Sequence, residues 1–354
     1  MKIGLVLGAG GVLGASWLIG SREALAEGTG WSPSRADYIV GTSAGSVVGA
    51  LTAAGVPPGL LGAQLSGEPL PELTELEQLS DAASDDSMGT EYRAAMSVPG
   101  LGPGSWRMAV STLRHPRRHA PAAMVTGWLP RGVVRTDSIS RLVERFVPGE
   151  WPEHPGYWAV ACDYADGRRV AFGREDAPSA TVSDAVSASC AIPGFYRPVS
   201  IDGRRYVDGG VCSPSNLDML AGRGLDLVVC LNPISSRAQV AQGSPAERVA
   251  AVLRTASGRR LGHEARKLRA EGTEVVLLQP TREDIALMGI NLMARARRAE
   301  VVRLARATMG QQLSDLRADG QLMPGSRRRR PSAGRNPATA PGRISPPRGG
   351  RAAA

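Results

Sequence analysis

Three short blocks of the sequence carry residue types that can act on an ester carbonyl. Gly41-Thr42-Ser43-Ala44-Gly45 is a GxSxG pentapeptide. Its hydroxyl is a poor nucleophile unless a neighbouring base takes its proton. Tyr206-Val207-Asp208-Gly209-Gly210-Val211 ends an apolar run on a carboxylate, and the two following glycines leave that carboxylate uncrowded. A free aspartate titrates at about 3.9, too low for a good base at neutral pH, but a water-poor site raises it. Gly8-Ala9-Gly10-Gly11-Val12-Leu13-Gly14 supplies consecutive glycines whose backbone N–H groups suit an oxyanion or a phosphate. Bland readings exist for each block: Ser43 as a helix N-cap in a glycine turn, Asp208-Gly209 as an ordinary turn.

Other chemistries fit the same residues less well. A dinucleotide loop requires GxGxxG, and Leu13 stands at its last position. The second strand also ends in Gly41-Thr42-Ser43 where a ribose-binding acid is needed. No Gly-Lys-Ser/Thr follows to make a Walker loop. The histidines that could serve Ser43 are His115, His119, His154 and His263, and none follows a strand. Cys162, Cys190, Cys212 and Cys230 are widely spaced and form no CxxC pair, so neither a zinc site nor a disulfide framework is expected. No cofactor is implied.

The elements that would position these groups are legible from apolar runs and breakers. Ile3–Leu7 is a continuous apolar strand, followed by the glycine loop and a helix over Val12–Glu27. Tyr38–Val40 is a short strand broken at Gly41, followed by a small-residue helix over Ala44–Ala54. Two strand–turn–helix units in succession predict an α/β fold whose parallel sheet is buried on both faces. Further strands are expected at Trp158–Tyr164, Arg168–Phe172, Arg204–Val207, Leu225–Asn232 and Glu274–Gln279. Long helices are expected at Ala246–Ala270 and Asn291–Ala318.

These blocks, in this order, resemble the patatin-like phospholipase family, whose glycine-rich loop, GxSxG serine and Asp-Gly-Gly motif match here at 9–14, 41–45 and 208–210. A fourth block, Ala188-Ser189-Cys190-Ala191-Ile192-Pro193 with Pro198, resembles the segment that shortly precedes the family's aspartate. The resemblance implies a three-layer α/β/α fold with a mainly parallel central sheet and hydrolysis of acyl esters in lipids, without metal. It makes Ser43 the nucleophile, Asp208 the proton acceptor, and the N–H groups of Gly10 and Gly11 the oxyanion hole. Gly8, Gly14, Gly41, Gly45, Gly209 and Gly210 then shape the turns. The chain departs from the family pattern at Ala9, in place of the first loop glycine, and at Leu13, in place of an arginine or lysine. Backbone donors survive both changes. The alternatives are a lipid transacylase and a non-catalytic binding protein of the same fold.

Charge sets the remaining expectations. The 354 residues carry a net charge of +9. Eight arginines and no acid lie beyond Met323, which leaves 34 basic and 33 acidic side chains in the body. The expected domain therefore spans 1–323, with its motif-bearing core at 3–218 and its completion at 219–323. The Arg-, Pro- and Gly-rich 324–354 reads as a disordered tail. Between the blocks, Glu68–Glu91 carries eight acids and no base, and Tyr92–Thr136 carries seven arginines and no acid. This reads as a helical insertion over about 68–136, with the option of a lid whose Trp106, Met108, Leu113 and Trp128 touch lipid. Glycines 8, 10, 11, 14 and 20 and the Arg22/Glu23 pair break the apolar N-terminus, so no signal peptide or transmembrane helix is expected, and a cytoplasmic location is. Expected partners are a lipid or acyl-ester substrate and peripheral contact with a membrane surface. Nucleic acid is disfavoured, and the oligomeric state is open.

Overall fold

The computed structural model describes residues 1–57, 59–60, 104–114, 126–130, 132–147, 149–236, 244–321 and 324. Most of the 68–136 segment and the tail beyond Pro324 lie outside the described residues.

The sheet has eight strands: β1 (Ile3–Leu7), β2 (Tyr38–Thr42), β3 (Tyr157–Asp163), β4 (Arg169–Phe172), β5 (Val199–Ile201), β6 (Arg204–Asp208), β7 (Leu227–Leu231) and β8 (Glu274–Leu278). Their order is β5-β6-β3-β2-β1-β7-β8, with β4 also paired to β3. The central strands β3, β2, β1, β7 and β8 run parallel, whereas β4 and β6 are antiparallel to β3 and β5 to β6. All five residues of β1 are buried, as a strand covered on both faces requires. Leu5 and Leu7 face one core and Val6 the other, following the two-residue period of a strand.

The first core is closed by α1 (Gly11–Thr29), α2 (Ala44–Ala53), α5 (Val182–Ser189) and α8 (Arg298–Ala318). Across the sheet, α6 (Pro245–Ala270) covers Val6, Val40 and Val228 with Leu261, Ala265 and Leu268. The fold is thus three-layered α/β/α with a mostly parallel sheet. Among the described residues the other α-helices are α3 (Trp106–Arg114), α4 (Asp137–Phe146) and α7 (Arg282–Met288). Among the described residues no helix is long and apolar enough to cross a membrane.

Several expectations need correction. β2 does not break at Gly41 but runs to Thr42, with Gly41 paired to Leu7 and Ala159. The helix expected from Asn291 starts only at Arg298. Residues 291–297 instead pack on the glycine loop, where the Leu292 carbonyl accepts the Leu13 N–H (2.9 Å). Met108 does not face outward: it is buried against Cys162, Tyr164, Val207 and Val211. Helices α4 and α5 and strand β5 stand where no element was expected.

Candidate active site

The loops after β1 and β2 leave the same edge of the sheet side by side, because those strands are parallel neighbours. Ser43 sits between β2 and α2 at φ 54°, a conformation that side-chain-bearing residues avoid. The flanking glycines make the turn possible. A Cβ on Gly45 would strike the Leu7 carbonyl, and one on Gly41 would strike the Gly45 carbonyl. The strained serine is therefore held by the close packing of α2 on β1 and β2.

Asp208 reaches the same place from the other side of β3. Thr42 pairs with Val160, and Asp208 with Ala161, so the ends of β2 and β6 lie level across one intervening strand. The two side chains meet there, close enough for the Ser43 hydroxyl to favour the charged form of the Asp208 carboxylate. Asp208 also accepts the Gly210 N–H at 2.7 Å. Burial raises the Asp208 pKa to about 6, opposed by the Ser43 hydroxyl and the Gly210 N–H, which favour the charged form. Ser43 and Asp208 are only 5% and 6% exposed.

The fourth sequence block supplies the scaffold. Ser189 accepts the Ser43 N–H (2.9 Å) and donates to the Val160 carbonyl (2.6 Å), so one hydroxyl ties the Ser43 turn to β3. The Ala191 carbonyl accepts the Asp208 N–H (2.9 Å). Cys190 makes a side-chain hydrogen bond with Ser43, and burial lifts its thiol out of the reactive range. Asn216 donates to Thr42 Oγ1 (3.0 Å) and to the Ser213 carbonyl (2.7 Å), bridging the end of β2 to the turn after Asp208. That turn is anchored in its turn by Glu264 of α6, which accepts Ser215 Oγ (2.6 Å) and the Leu217 N–H (3.1 Å). Sequence reasoning assigned no role to Ser189 or Asn216. Ser189 was visible inside a recognised block; Asn216 carried no signal.

The glycine loop lies against the start of α1. Gly8 abuts Asn232, and Gly10 and Gly14 abut Pro233, at distances that leave no room for a side chain on Gly8 or Gly10. Gly11 has φ 61° and rests on Leu292. Ala9 is held by its N–H to the Pro214 carbonyl (2.8 Å). Within the described residues the N–H groups of Gly10 and Gly11 make no hydrogen bond. They are free to serve an oxygen at the N-terminus of α1, where the helix dipole also favours negative charge. Gly209 packs on Val160, and Gly210 lies between Asp208 and Ala9, so Asp208 and the glycine loop are neighbours.

A cavity of about 370 Å³ opens on Ser43. Its walls are mainly apolar, including Ile19, Val47, Leu51, Ile139 and Phe146, and Gly11 contributes from the glycine loop. Asp208 lies behind Ser43 rather than on the wall. Among the described residues no histidine lines this space. His154 is bound to the Ala36 carbonyl (2.7 Å) and to the Gly156 N–H (3.1 Å), and His263 is exposed on α6. His115 and His119 lie outside the described residues. Among those residues no three His, Cys, Asp or Glu side chains converge to hold a metal ion.

Comparison with known proteins agrees with the motif order. Residues 5–221 match the patatin-like phospholipase family. Uncharacterized NTE family proteins of Mycobacterium tuberculosis and Mycobacterium bovis are 34% identical over 109 residues, 30% of this chain and 29% of theirs. The match thus spans less than a third of those relatives. Among solved structures, VipD from Legionella pneumophila aligns with 14% identity, 89% of this chain, 67% of that one and a TM-score of 0.43. The type III effector ExoU aligns with 17% identity, 89% and 53% coverage and a TM-score of 0.35.

Proposed function

The chain belongs to the patatin-like phospholipase family, and from that premise we propose that it hydrolyses acyl esters of lipids through a Ser43–Asp208 dyad. The observation that carries this reading is a serine hydroxyl on the wall of an apolar cavity with a buried carboxylate directly behind it, close enough for each to act on the other. Asp208 takes the hydroxyl proton as Oγ attacks the ester carbonyl carbon. The carbonyl oxygen gains charge against the N–H groups of Gly10 and Gly11. Collapse of the tetrahedral adduct expels the alcohol, which leaves with the proton from Asp208, and the acyl group stays on Ser43. Water then gives its proton to Asp208 and attacks the acyl-enzyme, releasing the fatty acid and restoring the serine.

The cavity suits the acyl chain, since each methylene moved out of water contributes about 0.8 kcal/mol. Family and site together support a carboxylic ester hydrolase acting in lipid degradation. The four cysteines are unbridged, which fits a reducing, cytoplasmic compartment.

Peripheral contact with a membrane is part of the same reading. Trp106 and Trp128 are 63% and 46% exposed and meet edge to face at 6.3 Å. The next residue, Leu129, packs beside Gly194, two residues from the cavity residues Ile192 and Tyr196. Paired exposed indoles suit a lipid interface.

Wild-type protein and Ser43→Ala should be compared for release of p-nitrophenol from p-nitrophenyl esters of increasing chain length. Turnover in the wild type and its loss in the variant is the expected result. Equal turnover in both would remove Ser43 from the mechanism.

A further inference from the structure

Two cysteines that the dyad does not use converge at the turn between β3 and β4. Cys162 lies in β3, paired with Val207 of β6 and Arg169 of β4. Cys212 closes the single helical turn Gly209–Val211 that follows Asp208. Both side chains pack into one cluster with Val207 and Val211. Their thiols donate to carbonyls of the same turn, Cys162 to Asp163 (3.6 Å) and Cys212 to Gly167 (3.4 Å). The Gly167 N–H in turn donates to the Asp163 carbonyl (2.9 Å), which holds the two acceptors together. Cys162 is buried and Cys212 half-buried.

The two thiols are chemically unequal. Arg169, ion-paired to Asp218, and Arg260 of α6, ion-paired to Glu264, lend Cys212 a positive surrounding. The neighbouring Cys162 thiol and these two guanidiniums hold the Cys212 thiol below the usual thiol range, against burial and the Asp208 charge. Cys212 and burial push the Cys162 thiol well above that range. The pair thus joins a partly exposed sulfur that ionises readily to a buried thiol positioned to attack it once oxidised.

We propose that Cys162 and Cys212 are a modification site, closing into a reversible disulfide under hydrogen peroxide, and that the bridge slows turnover at Ser43. The Cys212 thiolate, its proton given to solvent, attacks one peroxide oxygen. The O–O bond breaks, the leaving hydroxide takes a proton back as water, and Cys212 becomes a sulfenic acid. The Cys162 sulfur then attacks the Cys212 sulfur, the S–O bond breaks, and hydroxide leaves with the Cys162 proton as water. Two thiols are oxidised and one peroxide is reduced. A sulfur–sulfur bond of about 2.0 Å draws Cys212 towards β3. The Cys212 N–H donates to the Gly209 carbonyl (3.0 Å), and the Gly210 N–H to the Asp208 carboxylate (2.7 Å), so that movement passes directly to Asp208. The bridge stands apart from the ester-hydrolase reading, whereas its effect on turnover rests on it.

The test treats the reduced full chain with hydrogen peroxide, maps the product by non-reducing peptide mass spectrometry, and assays p-nitrophenyl butyrate before and after dithiothreitol. The expected result is a peptide pair joined through Cys162 and Cys212, with kcat lowered about tenfold or more and restored by the reductant. Cys212→Ser and Cys212→Ala should turn over like the untreated wild type and keep that rate in peroxide. A folded protein that forms no bridge, bridges a different pair of cysteines, or stops at a sulfinic acid on Cys212 overturns the proposal. So does a bridged protein with unchanged kcat, or an equal loss of turnover in the Cys212 variants, which would place the damage elsewhere. An untreated wild type without turnover would remove the dyad, while the peptide map decides the bridge in either case.

Discussion

Replacing Asp208 by asparagine should abolish activity and, at alkaline pH, make the protein more stable. The carboxyl is pushed from its ordinary 3.8 to about 6 by burial. A group whose folded pKa lies above its unfolded pKa favours the native state when protonated. Its penalty is absent well below pH 3.8, grows as pH rises from 3.8 to about 6, and is complete above that. The size follows from linkage: moving the pKa from 3.8 to about 6 corresponds to about 3 kcal/mol. Asparagine retains an oxygen that can accept the Ser43 hydroxyl and the Gly210 N–H but carries no charge, so it escapes the penalty. Urea denaturation of both proteins at pH 4 and pH 8 should therefore show the variant gaining about 2.5 kcal/mol relative to wild type between the two pH values. A difference that is the same at both pH values would refute the claim that Asp208 is a desolvated, ionisable base.

The same shift predicts that kcat/KM on a neutral ester rises with pH and levels off above about 6, since only the carboxylate can accept the proton. A stopped-flow pH profile checks this, and a flat profile across pH 5–7 argues for another base. Ser189→Ala removes both the acceptor of the Ser43 N–H and the donor to Val160. It should lower kcat about tenfold or more with KM little changed, and cost about 1–3 kcal/mol of stability by denaturation. A variant that loses stability but keeps kcat would make Ser189 purely structural. Gly45→Ala would drive a Cβ into the Leu7 carbonyl. It should cost roughly 4 kcal/mol or more by chemical denaturation, and a variant as stable as wild type would contradict the packing that strains Ser43.

How much of this was legible depended on whether local rules decided the outcome. The turn at Ser43 was readable because Gly41 and Gly45 leave no room for a side chain, and the place of Asp208 because it ends a buried strand. Strands β1, β7 and β8 announce themselves as apolar runs. Residues 291–297 did not follow their helical propensity, because the Leu292 carbonyl is engaged by the Leu13 N–H from another element. Tertiary packing overrode propensity there. Met108 was misread for a related reason: a methionine in an arginine-rich stretch looks exposed until β3 and β6 arrive beneath it. Helix α5 is short and small-residued, yet its Thr181 cap on the Asp184 N–H (3.2 Å) was written in the sequence as Thr-x-x-Asp. Asn216 joins the end of β2 to a turn distant in sequence, and no spacing rule reveals it.

The central claim is that Ser43 is an activated nucleophile. Treatment of the folded protein with a fluorophosphonate, followed by peptide mass spectrometry, tests it most directly. The account predicts one phosphonyl adduct, on the peptide containing Ser43, and its loss in Asp208→Asn. A protein that stays unlabelled, or an adduct on another residue, would contradict it.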